Sequence, residues 1–199
     1  MVTLILRCGE RGKQTLLSFP AATPAAQDEN AAILAALKRE AVPVFVESAA
    51  SPVLNLGCYL REIDILADGE IVRVQRLAER LEQMSEIDCD KFAGMLDANS
   101  ISGTKDILKL TERLNDYAIP PNCSSPRSIG RYLVGCGAFP VTEELTGYID
   151  YGAVGTDFQS EHGGAVCCRG YVVRKEGLPQ EVLEDLHTEA DQTIYKMTL

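Results

Sequence analysis

The stretch Ile71-Val72-Arg73-Val74-Gln75-Arg76-Leu77-Ala78-Glu79-Arg80-Leu81-Glu82-Gln83-Met84 carries the clearest periodicity in the chain. Ile71, Val74, Leu77, Ala78, Leu81 and Met84 recur at spacings of three and four, while arginines, glutamates and a glutamine fill the other arc. That pattern predicts a helix with one face turned to a core. Downstream, a second helix is predicted over 88–97, with Phe92, Met95 and Leu96. A third runs from Ser102 through Ile107, Leu110 and Leu114. Short links between them predict a small bundle. Upstream the pattern changes. Residues 2–7 and 13–19 are β-leaning runs around Cys8-Gly9-Glu10-Arg11-Gly12, whose glycines permit a hairpin turn. After the punctuation of Pro20 and Pro24, Asp28-Glu29-Asn30 is expected to cap a helix through Ile33, Leu34 and Leu37 that ends near Arg39 and is closed by Pro43. Val42–Val46 and then Cys58–Ile65 return to the sheet. A small sheet followed by a run of helices makes the fold class α+β.

Beyond the bundle, Ile119-Pro120-Pro121-Asn122 breaks the pattern, because consecutive prolines lack amide donors and force extended geometry. Ser125-Pro126 opens a helix through Ile129, Tyr132 and Leu133, which Gly135 and Gly137 end. Glu143-Glu144-Leu145 through Tyr151 reads as another short helix with carboxylates in its first turn. Val166–Val173 is the expected strand, and Gln180–Leu186 an amphipathic acidic helix or a frayed end. The expected organisation is an N-terminal α+β lobe over 1–65, a helical middle over 66–120, and a C-terminal α+β lobe with an acidic tail over 121–199.

Composition narrows the function. The 199 residues are 46% hydrophobic, enough to bury a core. The longest apolar runs fall far short of the roughly 20 residues that span a bilayer. The N-terminus lacks a basic region followed by a cleavable apolar core, so no signal peptide is expected. Seven cysteines, an odd number without a C-x-x-C pair, read as reduced thiols rather than a disulfide framework or zinc ribbon, and a cytoplasmic location follows. Nineteen basic against 29 acidic residues give a net charge of −10, which repels nucleic-acid phosphates and disfavours direct DNA binding.

Motifs for chemistry are sparse. The two histidines, His162 and His187, lie outside any recognisable nucleophile signature. His162 with Cys167 and Cys168 is the sole pairing for a thiol or metal hydrolase, and three crowded ligands do not make a regular zinc site. Gly135-Cys136-Gly137 and Gly163-Gly164 lack the lysine and helix start of a phosphate cradle and read as turns. No catalytic residue, cofactor or metal is expected. What stands out is the clustering of acids. From Glu62 to Asp97 there are ten acids against four bases. From Val141 to His162 there are five acids, and from Glu176 to Asp191 six, with no lysine or arginine in either block.

Ser128-Ile129-Gly130-Arg131-Tyr132-Leu133-Val134, followed by Pro140-Val141-Thr142-Glu143-Glu144-Leu145-Thr146-Gly147-Tyr148-Ile149-Asp150-Tyr151-Gly152-Ala153-Val154-Gly155-Thr156-Asp157, resembles the antirestriction ArdA family, most closely over 127–173. The family shows an Arg-Tyr helix, a Tyr-Ile-Asp-Tyr helix end and a Gly-x-Asp turn. The resemblance implies an elongated, three-lobed DNA mimic from mobile elements, dimeric through its C-terminal lobe, that blocks type I restriction–modification enzymes without catalysis. It implies structural roles for Arg131 and Tyr132, support of the C-terminal lobe by Tyr148 and Tyr151, and mimic charges at Asp150 and Asp157. The chain departs from the family at Val154 and Thr156, where an aromatic and an arginine are usual, at Gly135-Cys136, where acids are common, and in its modest net charge.

The expected function is therefore inhibition of a DNA-targeting host defence complex by an acidic surface. The partner-binding residues expected to form it are Glu79, Glu82, Glu86, Asp88, Asp90, Glu143, Glu144, Asp150, Asp157, Glu161, Glu181, Glu184 and Asp185. The rivals are an inhibitor of a CRISPR effector acting through a specific protein interface and, further off, the thiol or metal hydrolase.

Overall fold

In a computed structural model, which describes residues 1–8, 13–40 and 42–186, the chain is α+β. It divides into two compact units: Met1–Leu96 with Ser100–Glu112, and Asp97–Asn99 with the chain from Arg113 onward. The 65/66 boundary expected above is not a division between units.

In the first unit, β1 (Val2–Cys8) lies between β2 (Lys13–Phe19) and β3 (Val44–Ala50), antiparallel to both. The expected hairpin is present, and its turn at Gly9–Gly12 lies outside the described residues. Alternation along β1 puts Val2, Leu4, Leu6 and Cys8 in the core with Leu17 and Phe19 of β2 and Val44 and Val46 of β3. Helix α1 (Pro24–Glu40) starts four residues before the expected cap. The Thr23 hydroxyl accepts from the Ala26 amide at 3.2 Å, and Pro24 occupies the first helical position, where its missing N–H costs nothing. After β3 the chain does not return as a strand at Cys58, which sits in the short helix α2 (Leu56–Leu60). The return comes later, over residues 62–65, where the Glu62 and Ile65 amides donate to the Val46 and Val44 carbonyls at 2.8 and 2.9 Å, the Val46 amide donates to the Ile63 carbonyl at 3.0 Å, and Asp64 bridges to Phe45.

Helix α3 (Glu70–Glu82) buries Val74, Leu77, Ala78 and Leu81, as its periodicity predicts. α4 (Glu86–Ala98) buries Phe92, Met95 and Leu96, and α5 (Thr104–Thr111) buries Ile107 and Leu110. Each fully buried side chain of this size contributes about 1.5–3 kcal/mol. Arg80 ties α3 to α5, donating to the Leu108 carbonyl at 3.1 Å and to Glu112 at 2.7 Å. The helical middle joins the sheet because the apolar face of α3 and that of a three-stranded sheet are each too large to leave wet, and α3 packs against β2.

In the second unit, a 3-10 turn over Leu114–Asp116 leads into β4 (Tyr117–Ala118), in a segment for which no strand is predicted. Helix α6 (Pro126–Gly135) follows as expected, closed at its start by a reciprocal Ser125–Ser128 capping box. Glu143–Tyr148 is a 3-10 helix, and Tyr151–His162 forms α7, a helix where the sequence pattern suggested only a helix end and turns. The expected single strand over 166–173 is a hairpin, β5 (Ala165–Cys167) and β6 (Gly170–Arg174), and the sheet order is β4-β6-β5. Residues 180–186 are helical and bury Val182, and the tail beyond lies outside the described residues. Cys123, Ile129, Leu133, Phe158, Tyr171, Val173, Leu178 and Val182 form one core.

Candidate functional site

The expected acidic residues fall into both units and meet different surroundings. In the first unit, Glu79 and Glu82 project from the outer arc of α3 among Arg73, Arg76 and Arg80. Glu79 accepts from Gln75 at 3.1 Å, and Glu82 lies 3.4 Å from the N-terminal amine. Asp88 bonds the Ser85 hydroxyl at 2.8 Å, while that hydroxyl accepts the Asp88 amide at 3.1 Å, so this acid serves the start of α4. Glu86 is exposed and Asp90 half-buried on the same helix. Other acids of this unit pair with arginine: Glu62 with Arg7, Glu70 with Arg73, and Glu112 with Arg80. The surface of this unit is a mosaic of both signs.

The second unit differs. Its described residues carry eleven acids against six bases. Asp150, Asp157 and Glu161 are spaced by seven and four, which brings them to one exposed face of α7. At 1.5 Å per residue that stripe is about 16 Å long. Asp157 has no hydrogen-bond or ion-pair partner, and the same holds for the carboxylates of Glu143, Glu144 and Glu181 among the described residues. Glu161 lies 3.9 Å from the His162 ring. Glu184 accepts from Gln180 at 3.0 Å. Asp185 faces the buried Tyr132 hydroxyl, which forms no hydrogen bond of normal geometry. Burial and then the Asp185 carboxylate push that phenol up.

Asp150 has a second duty. Its Oδ1 accepts from the Gly152 amide at 3.0 Å and the Ala153 amide at 3.1 Å, making it the N-cap of α7. Asp150→Ala is expected to lower stability by about 1 kcal/mol and Asp150→Asn by only a few tenths, since asparagine caps equally well without the charge. Urea melts of both variants separate the cap from the charge. The Arg131 guanidinium lies over the Tyr151 ring, 5.8 Å from its centroid, and the Tyr151 hydroxyl donates to the Thr146 carbonyl at 3.1 Å. Tyr148 is the correction. It is 88% exposed and supports nothing in the core.

His162 is the last residue of α7, not a turn residue, and its ring packs tilted against Phe158 with the centroids 4.4 Å apart. It lines a cleft of about 520 Å³ with Asn99, Tyr117 and Arg174, and neither Cys167 nor Cys168 is part of that lining. The Tyr117 hydroxyl donates to Asn99 at 3.1 Å and accepts from Arg174 at 3.3 Å. No group of three or more histidine, cysteine or acidic side chains among the described residues is arranged to hold a metal ion. No described helix is long and apolar enough to cross a membrane.

Sequence patterning missed the exposed apolar pair Leu145 and Tyr148. Their separation of three residues beside Glu143 and Glu144 was the available signal, readable only once the segment is known to be a 3-10 helix. No model of a known protein family matches the chain, and no curated protein matches it.

Proposed function

We propose that this chain is an ArdA-like antirestriction protein acting in the cytoplasm, which docks on the basic DNA-binding surface of a type I restriction–modification complex. The observation that carries the reading is the set of unneutralised carboxylates among the described residues of the second unit: Asp157 and Glu181 on helical segments that bury Phe158 and Val182 in its core, and Glu143 and Glu144 on a 3-10 helix held through its backbone. Oriented anionic groups that are not held in ion pairs attract a basic cleft and speed encounter.

Binding of the whole chain to a purified type I complex, with a DNA duplex as competitor, tests this. Binding that the duplex displaces and that weakens from low to physiological salt supports the reading, because screening cuts exposed charges off beyond about 8 Å. The quadruple variant E143Q/E144Q/D157N/E181Q is expected to lose about tenfold in affinity, mainly in on-rate, with an unchanged melting temperature. No binding, or binding indifferent to the duplex, overturns the reading.

One observation favours a second reading, an inhibitor of a CRISPR effector that works through a specific protein interface. Three carboxylates over the α7 stripe compare with about nine phosphates over the same length of duplex, at one charge per roughly 1.7 Å. That density is low for a pure charge mimic. Plasmid-interference assays against each defence class separate the two readings, since each predicts relief of one class.

A further inference from the structure

We infer that Leu145 and Tyr148 form an apolar anchor that seats in a recess of a protein partner whose surrounding surface is basic, and that this anchor, more than the charges, sets how long the complex lives. The inference rests on the inhibitor reading above and adds the recognition element to it.

A 3-10 helix repeats every three residues, so Leu145 and Tyr148 stand one above the other as a ridge, while Glu143 and Glu144 fall on the other two edges. Leu145 is 55% and Tyr148 88% exposed, and no residue of Glu143–Tyr148 is buried. The segment therefore contributes nothing to the core through its side chains, yet its backbone is held. The Leu145 amide donates to the Thr142 carbonyl at 2.9 Å and the Thr146 hydroxyl to the Glu143 carbonyl at 2.7 Å. Tyr151, from the first turn of α7, donates to the Thr146 carbonyl at 3.1 Å. A tyrosine and a leucine presented on a fixed backbone lose little freedom on binding, which is the anatomy of an interface hot spot.

Charge selects the occupant. Glu143 and Glu144 flank the ridge and Asp150 follows it, with no lysine or arginine anywhere from Val141 to His162. A second copy seated on this face would set those carboxylates against their own equivalents. A partner with lysine and arginine around an apolar recess would complement them.

The test uses the whole chain and the purified type I complex, comparing wild type, L145A/Y148A, Y148F and the quadruple charge variant at two salt concentrations, with sedimentation of each protein alone. Expected is a loss of roughly 30-fold for L145A/Y148A, in off-rate and equal at both salts, with Y148F close to wild type. The charge variant should instead lose on-rate, and lose it more at low salt. If wild type binds and L145A/Y148A binds equally well, the anchor is wrong while the inhibitor reading stands. If wild type does not bind, both fall. If L145A/Y148A instead splits a wild-type dimer, the ridge belongs to a second copy and the inference is overturned.

Discussion

Gly155→Ala should destabilise the second unit by about 3 kcal/mol and thereby remove the platform of the α7 carboxylates. A Cβ on Gly155 would run into the carbonyl group of Pro126, and one on Gly130 into the carbonyl of Tyr151. Helices α6 and α7 thus cross backbone against backbone at two points, and neither obstacle is the yielding end of a side chain. One unit's net stability is only several kcal/mol, so this is a large fraction of it. Gly130→Ala should behave alike. Gly135→Ala is the control, because an added Cβ there meets nothing within 4 Å and its φ is negative. It should stay within about 1 kcal/mol of wild type, on the stabilising side. Urea denaturation of the three variants checks the ranking. Equal stability of Gly155→Ala and Gly135→Ala would mean that the helices do not cross this closely.

Those glycines also mark where reading the sequence stopped short. The segment 151–162 has glycine at 152 and 155 and lacks a long apolar stripe, so its local pattern resembles turns. It is helical because Asp150 caps it and Gly155 lets it lie against α6, a tertiary reason that no window of a dozen residues contains. Helix α3 was legible through its apolar stripe, five of whose six residues, Ile71, Val74, Leu77, Ala78 and Leu81, lie within it, the helix ending before Met84. The hairpin β1–β2 was legible through its two alternating runs, whereas β5–β6 was not. Cys168-Arg169 makes a turn without the usual Asn-Gly or Asp-Gly signal, and the run reads as one strand. For the candidate site, the sequence placed the acids but not their neutralisation. Whether Glu82 meets an amine or Glu143 meets water is decided by elements far apart in the chain.

Raising the pH above about 9 should unfold the second unit through its own core. Cys123, fully buried, is pushed from the ordinary 9.0 to about 12 by burial first and by the Cys136 charge second. Tyr171, also fully buried, is pushed from 10.0 to about 12 by burial and then by Cys123. In both cases the folded state holds its proton more tightly than the unfolded chain does. The associated stability is complete below pH 9 for the thiol and below pH 10 for the phenol, and each is lost as pH rises toward 12. At about 1.4 kcal/mol per unit, the thiol accounts for about 4 kcal/mol across its window and the phenol for about 3 kcal/mol. Cys123→Ala should flatten part of the profile above pH 9, the remainder there belonging to Cys136, whose thiol burial also pushes up. Tyr171→Phe should flatten part of the profile above pH 10, at a cost of about 1 kcal/mol at neutral pH for the lost bond to the Gly163 carbonyl. Urea melts from pH 8 to 11 under reducing conditions supply the test. If the double variant loses stability as steeply as wild type over that range, the titrating groups lie elsewhere and this core is not what alkali dismantles.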